Sequence, residues 1–305
     1  MLLYTHPICI EHQPGPGHPE SPARLQAVIE ALSEAFPDLL WEQPGAAERA
    51  TLALAHSTRL IDQVLDITAP GYRRIDADTA MSEYSAEAAL RAVGAVVEAI
   101  DAVLTGPERR AFCAVRPPGH HASVDQAMGF CLFNSVATGA LHALKRRGLK
   151  RVAVVDFDVH HGNGTQDILW DVPGAFYLSS HQSPLYPGTG WGSEHGGRGQ
   201  TLNLLLPEGS DGERLRMGYQ EQLLPALDAF APQLILISAG FDAHRLDPLA
   251  GLNLQGADYA WLTAELVKMA DRHAEGRIVS TLEGGYSLTA LRESSVAHVG
   301  ELMRG

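Results

Sequence analysis

The residues with the most chemical potential stand together in Asp156-Phe157-Asp158-Val159-His160-His161-Gly162-Asn163-Gly164. Side chains alternate along an extended chain, so Asp156, Asp158 and His160 face one side. Asp158-x-His160 then offers an oxygen and a nitrogen ligand to one metal ion. Two acids and two histidines directly after the apolar run Val152 to Val155 are costly to desolvate unless a cation or a proton relay satisfies them. A second acid follows another apolar run, in Ala239-Gly240-Phe241-Asp242-Ala243-His244. Asp242 is the natural third ligand. Three protein ligands with an open fourth position is the arrangement of a catalytic zinc rather than a structural one.

Two further clusters suit proton transfer. Tandem histidines, His120 and His121, follow Arg116-Pro117-Pro118-Gly119, where the prolines stiffen the approach. Asp156 and Asn163 are available as partners for the two rings, and imidazole titrates nearest neutrality. Glu283-Gly284-Gly285-Tyr286 ends a third apolar run. Its glycines allow an unusual backbone and a close approach to substrate, with the Tyr286 hydroxyl over the site.

The elements that must position these groups are legible from the same chain. Val152 to Val155, Leu234 to Ile237 and Ile278 to Leu282 are short, apolar and β-branched, which predicts strands buried on both faces of a parallel sheet. Such strands deliver polar residues to the carboxyl edge, where ligands bind. Leu2 to Thr5, Phe112 to Val115, Phe176 to Leu178 and Thr201 to Leu206 read as further strands. Ser21-Pro22 starts a helix, with Leu25, Val28, Ile29 and Leu32 on its buried face. Arg24 on its first turn reads as a solvated charge. Other helices are expected from Ser82-Glu83 to about Leu104, along Val136, Ala140 and Leu144, and along Leu215, Tyr219, Leu223 and Leu227. The last is expected from Trp261 to His273. Strands alternate with helices and no linker interrupts them, so the fold class is α/β, one domain over residues 1–305.

Arg116-Pro-Pro-Gly-His-His, Gly129-Phe-Cys, Asp156-Phe-Asp-Val-His-His-Gly-Asn-Gly-Thr-Gln, Tyr186-Pro-Gly-Thr-Gly, Ala239-Gly-Phe-Asp and Leu282-Glu-Gly-Gly-Tyr occur in this order. Together they make the chain, over nearly its whole length, resemble the zinc-dependent histone deacetylase family, which includes bacterial deacetylase-like amidohydrolases and acetylpolyamine deacetylases. Asn163 and Glu283 resemble the class II pattern. The resemblance implies the arginase/deacetylase fold, a central parallel sheet flanked by helices. It implies hydrolysis of an acyl, chiefly acetyl, amide on a lysine-like or polyamine amine, with acetate released. One catalytic zinc ion (Zn2+) would be held by Asp158, His160 and Asp242, polarising the amide carbonyl and activating water. Asp156 would orient His120, and Asn163 would orient His121, the better candidate for general base and then acid. Tyr286 would donate to the developing oxyanion. Gly129, Phe130, Tyr186, Leu249 and Gly284 would form the slot for a linear acyl-lysine chain. A potassium ion (K+) is implied near the zinc, at Asp156 and Ser179 with backbone oxygens of Asp158, His160 and Ser180. Arg24 matches an arginine lining an inner product cavity.

Two other classes fit parts of the pattern. An arginase-like two-metal hydrolase would need further bridging carboxylates. Here no acid follows the histidine pair, and His244 stands two residues after Asp242 where that reading needs an Asp. A non-catalytic acyl-group binding protein would lack Tyr286 or a ligand, and every such position is filled.

Composition sets the partners. Of 305 residues, 36 are acidic and 23 basic, a formal charge of −13. That argues against a nucleic-acid surface. It favours a cationic substrate by steering, a hint to which Glu283 adds. No stretch approaches the roughly 20 apolar residues of a membrane span. Met1 to Pro7 lacks the basic and apolar regions of a secretory signal. Cys9, Cys113 and Cys131 are too few and scattered for a disulfide framework, so a reducing cytoplasm is the expected setting. The expected partner is a small-molecule or peptide acylamide.

Overall fold

The seven strand segments expected from the sequence lie side by side in one sheet. The computed structural model describes residues 1–66 and 71–304. Its strands, in chain order, are β1 (Leu2–Tyr4), β2 (Trp41–Glu42), β3 (Arg73–Arg74), β4 (Ala80–Met81), β5 (Arg110–Cys113), β6 (Val152–Asp156), β7 (Ala175–Gln182), β8 (Thr201–Leu206), β9 (Leu234–Ala239) and β10 (Ile278–Leu282). Eight of them form a sheet in the order β2-β1-β5-β10-β9-β6-β7-β8. Every pairing in it is parallel. Strands β3 and β4 make a separate antiparallel pair. All residues of β5, β6, β7, β9 and β10 are buried. That is the expectation for parallel strands covered by helices on both faces.

The covering helices are α1 (Ile8–Glu11), α2 (Pro22–Ala35), α3 (Arg49–Leu52), α4 (Thr58–Leu65), α5 (Ser85–Thr105), α6 (Ser135–Lys145), α7 (Asn163–Leu169), α8 (Gly212–Gly218), α9 (Leu224–Phe230), α10 (Gly256–His273) and α11 (Leu288–Met303). Ser21 precedes Pro22 as the N-cap residue of α2, and Leu25, Val28 and Leu32 are buried.

Strand β5 lies two residues before the expected Phe112 to Val115, α10 begins five residues before Trp261, and four further elements depart from the sequence expectation. Helix α5 begins at Ser85 rather than at Ser82, whose backbone N–H instead donates to Ser85 Oγ at 2.7 Å. Strand β7 continues through Ser179, Ser180 and His181, which were expected beyond its end. The helix through Leu215 to Leu227 is divided by a π-helical turn, Tyr219–Leu223. Pro225 lies just beyond; it has no N–H and crowds the preceding turn, which widening relieves. Finally, α10 is not the last helix. The stripe that α11 buries includes Ser294, Ser295 and His298, so its apolar period is weak. His298 fits the interior because its ring lies 2.6 Å from Thr263 Oγ1 and 2.8 Å from Ser280 Oγ.

The strand order has a direct consequence for chemistry. After β6 the chain moves outward through β7 and β8, then returns to the other side of β6 with β9. A crevice opens at the carboxyl edge of such a switch point. The loops after β5, β10, β9 and β6, four adjacent strands, all empty into it.

Candidate active site

Three buried side chains converge in that crevice. Nδ1 of His160 lies 3.1 Å from Asp158 Oδ1 and 3.3 Å from Asp242 Oδ2. One ligand atom from each residue falls within 4.8 Å of the others. The remaining oxygens are already used: Asp158 Oδ2 accepts from Gly284 N at 2.8 Å and Asp242 Oδ1 from Val159 N at 2.8 Å. Oδ2 of Asp242, by contrast, is buried and has no hydrogen bond. Burial and the neighbouring Asp158 push the Asp242 carboxyl up to about 7. Burial opposes charge on His160, but Asp158 and Asp242 outweigh it and raise the ring to about 10. An orphaned carboxylate oxygen beside a second carboxylate and one imidazole nitrogen is a donor set that fits a divalent cation such as zinc. Gly284 belongs to this support rather than to the slot wall, because a Cβ there would collide with Asp242 Oδ2.

The loop after β5 brings the histidine pair alongside, with ring centroids 4.0 Å apart. The two rings are held differently. His120 Nδ1 lies 3.1 Å from Asp156 Oδ2, to which the Tyr177 hydroxyl also donates at 3.0 Å. Burial disfavours its charge, yet Asp158 and Asp156 hold the His120 ring well above the ordinary range. His121 Nδ1 lies 2.8 Å from Asn163 Oδ1. Burial, then the charges of His120 and His160, hold it well below the ordinary range. Since Asn163 Oδ1 can only accept, His121 carries its proton on Nδ1 and leaves Nε2 bare.

A cavity of about 210 Å3 leads from the surface to this centre. Gly129, Phe130, Tyr186 and Leu249 line it, and His121, His160 and Tyr286 lie at its inner end. Gly129 adopts φ 56°, and a Cβ there would press on the His121 ring. The Tyr186 ring stands edge-on to His121 at 5.2 Å. The Tyr286 ring stands edge-on to Phe130 at 5.8 Å. Burial raises the Tyr286 phenol well above its ordinary range, so it is a proton donor at neutral pH.

Arg24 is fully buried, not solvated. Its guanidinium donates to Gly285 O at 2.5 Å, Glu283 O at 2.5 Å and Glu20 Oε1 at 2.9 Å, and lies 4.9 Å from the Tyr286 ring centroid. It braces the turn behind Tyr286. In the strand pair β6–β7, Asp156 stands opposite Ser179, whose Oγ is 2.9 Å from His181 Nδ1. Ser180 points to the other face, 3.0 Å from the Tyr219 hydroxyl. Glu283 is 1% exposed and turned to the histidine loop, so the sequence hint that its charge meets a cationic substrate is corrected. Asp78 is the carboxylate that lines the slot.

Asp78, Glu20, Tyr177 and Asp247 were not singled out from sequence. Glu20 binds Arg24 and Arg116 at once and is fully buried. Asp247 accepts from Tyr286 N at 2.7 Å and Leu249 N at 3.0 Å, joining the catalytic turn to the slot rim. An acid five residues after Asp242 was its only sequence signal. Tyr177 is spaced two residues from Ser179 on the same face of β7, a signal that alternation could have given.

The Histone deacetylase domain family model matches residues 18–302. The chain belongs to the histone deacetylase family. A histone deacetylase-like amidohydrolase of Pseudomonas aeruginosa is 37% identical over 293 residues, covering 94% of this chain and 77% of the relative. A probable deacetylase of Archaeoglobus fulgidus is 38% identical over 300 residues, covering 94% and 81%. The crystal structure of the HDA15 HD domain superposes with a TM-score of 0.93 at 35% identity, covering 99% of this chain and 87% of that one. The eight-stranded sheet is thus the histone deacetylase arrangement, and this member of the family is a hydrolytic deacetylase.

Proposed function

We propose that this deacetylase hydrolyses an N-acyl amide, acetyl foremost, on a linear amine of the lysine or polyamine kind and releases acetate. The observation that supports it is the convergence of Asp158, His160 and Asp242 beside His121, at the floor of a slot walled by Phe130 and Tyr186. The slot admits a straight methylene chain and leaves the amide among polar groups. Asp158, His160 and Asp242 would hold a zinc ion (Zn2+), which supplies a Lewis acid for the acyl carbonyl and lowers the pKa of water.

The chain's own residues carry the proton traffic. Nε2 of His121 takes a proton from the attacking water and returns it to the amine nitrogen as the C–N bond breaks. Asn163 keeps that ring in the required tautomer. His120, charged beside Asp156, adds positive potential next to the reacting carbonyl. The Tyr286 phenol donates to the carbonyl oxygen as negative charge grows there. Phe130 and Tyr186 flank the methylenes and exclude water. Leu249 closes the rim, Gly129 keeps the wall close, and Gly284 leaves room for the carboxylates of Asp158 and Asp242.

A potassium ion (K+) is part of the reading, at Asp156 and Ser179 with the backbone oxygens of Asp158, His160 and Ser180. Its support is the register that sets Asp156 beside Ser179. Arg24 would border the path by which acetate leaves. The chain's net charge of −13 disfavours nucleic acid as a partner. No helix among the described residues is long and apolar enough to cross a membrane. Cys9, Cys113 and Cys131 are free and buried, which suits a reducing cytoplasm.

The protein loaded with zinc and measured on an acetyl-lysine peptide and an acetylated polyamine, side by side, tests the reading. Higher kcat/KM on the peptide makes it a protein deacetylase. Higher kcat/KM on the polyamine makes Asp78 the recognition group for a second amine. Stoichiometric zinc by mass spectrometry with no turnover of either overturns the acetyl-amide reading.

A further inference from the structure

The mechanism needs two imidazoles held in register with the ligand set, yet the loop that carries them is not part of any strand or helix. Its downstream side is tied by Asn134, whose Nδ2 donates to Ala122 O at 3.1 Å, and by Thr165 N, which donates to His120 O at 3.1 Å. Its upstream side is held first at Arg116, which donates to Cys9 O, His12 O and Glu20, and then, next to the histidines, by one carboxylate. Oε2 of Glu283 accepts from Gly119 N at 2.6 Å and from His120 N at 3.1 Å. Oε1 accepts from Ser238 Oγ at 3.2 Å. Gly119 cannot be fixed by a side chain of its own. Without Glu283, two buried N–H groups at the root of the catalytic pair would have no acceptor.

We propose that Glu283 is a positioning residue of the reaction, a clamp that fixes His120 and His121 by binding both amides of Gly119-His120 and anchoring them to Ser238 on β9. This clamp links the ends of three adjacent strands. Ser238 is on β9, Glu283 immediately follows β10, and Gly119-His120 follow β5. Asp242 and Tyr286 hang from the same two strand ends, so the clamp registers the histidines against both. Its catalytic meaning rests on the amide-hydrolysis reading above.

The test compares wild type with Glu283→Ala and Glu283→Gln in the zinc-loaded enzyme. Glu283→Ala lowers kcat about 10- to 100-fold, the cost of a misplacement of about 1 Å, while KM stays within about threefold. Glu283→Gln keeps an acceptor for both amides and a donor for Ser238, and restores kcat to within about fivefold of wild type. Amide exchange of Gly119 and His120, read by NMR, is slow in wild type and in Glu283→Gln and faster by about tenfold or more in Glu283→Ala. A kcat within about twofold of wild type in Glu283→Ala, a loss residing in KM, or unchanged exchange overturns the clamp. Should Glu283→Ala not fold, Glu283→Asp replaces it: one methylene shorter, it loses the reach and the rate, and full activity there overturns the proposal. A wild type inactive on acetyl amides defeats the functional reading alone, because amide exchange still decides whether the clamp exists.

Discussion

Oδ2 of Asp242 lies 3.3 Å from Nδ1 of His160, fully inside the protein, and forms no hydrogen bond. A buried acceptor left without a hydrogen bond costs about 1–3 kcal/mol, which a bound cation recovers. Asp242→Asn should therefore have opposite effects in two states. Without metal it melts above metal-free wild type, because a repulsion with Asp158 is gone. With excess zinc only the wild type gains thermal midpoint, and metal content of the variant stays near zero. A variant that binds zinc as wild type does would place the cation elsewhere.

Tyr286 reaches the slot's inner end with its phenol protonated. Tyr286→Phe removes one donor and little volume. The expected loss is about 100-fold in kcat with KM changed by less than about threefold, measured at saturating acetyl-lysine peptide. A loss confined to KM would make the phenol a ground-state contact.

His121 is neutral because burial and two nearby imidazoles oppose its charge and its partner, Asn163, brings none. Asn163→Asp supplies a carboxylate at the same distance and raises the ring's pKa. The unprotonated base then survives only at higher pH. The acid limb of the kcat profile should move to higher pH by about one unit or more, with rates recovering in alkaline buffer. An unmoved limb would exclude His121 as the group that titrates.

His56 offers a pH effect on stability rather than on rate. Its Nδ1 lies 2.8 Å from Ser123 O, and its Nε2 accepts from Asn134 N at 2.9 Å. Burial lowers the ring from its ordinary 6.5 to about 4. The unfolded chain binds this proton below about 6.5 while the folded ring stays neutral. The contribution is thus complete above 6.5 and declines as pH falls toward 4. Wild type should lose about 2 kcal/mol more than His56→Gln between pH 7 and pH 5, read from urea midpoints.

The chemistry was legible because strand ends write it locally. Asp158 and His160 follow β6, Asp242 follows β9 and Tyr286 follows β10, each straight after an apolar run. What was not legible depends on partners distant in the chain. Arg24 reads as a solvated charge until Glu20, Glu283 and Gly285 surround it. Glu20 has no mark of burial until Arg116, 96 residues later, returns to it. Glu283 carries a charge whose address only the sheet order reveals. The helix α11 escaped because Ser294, Ser295 and His298 interrupt its apolar stripe, and the His298 ring is satisfied only by Thr263 and Ser280, distant in the chain.

Strand β10 lies between β5 and β9, in the interior of the sheet, although it follows every other described strand in the chain. On the ribosome, β2, β1 and β5 can associate early, as can β9, β6, β7 and β8, but the two groups have no common seam until residue 282 has emerged. The β5 edge must wait from residue 113, and the aliphatic β9 edge from residue 239, until β10 arrives. Long-range closure of this kind is slow and exposes nascent chains to mispairing. The same late strand carries Glu283 and Tyr286, so translation delivers the catalytic turn and the keystone of the sheet in one event. A chain terminated before residue 278 lacks both.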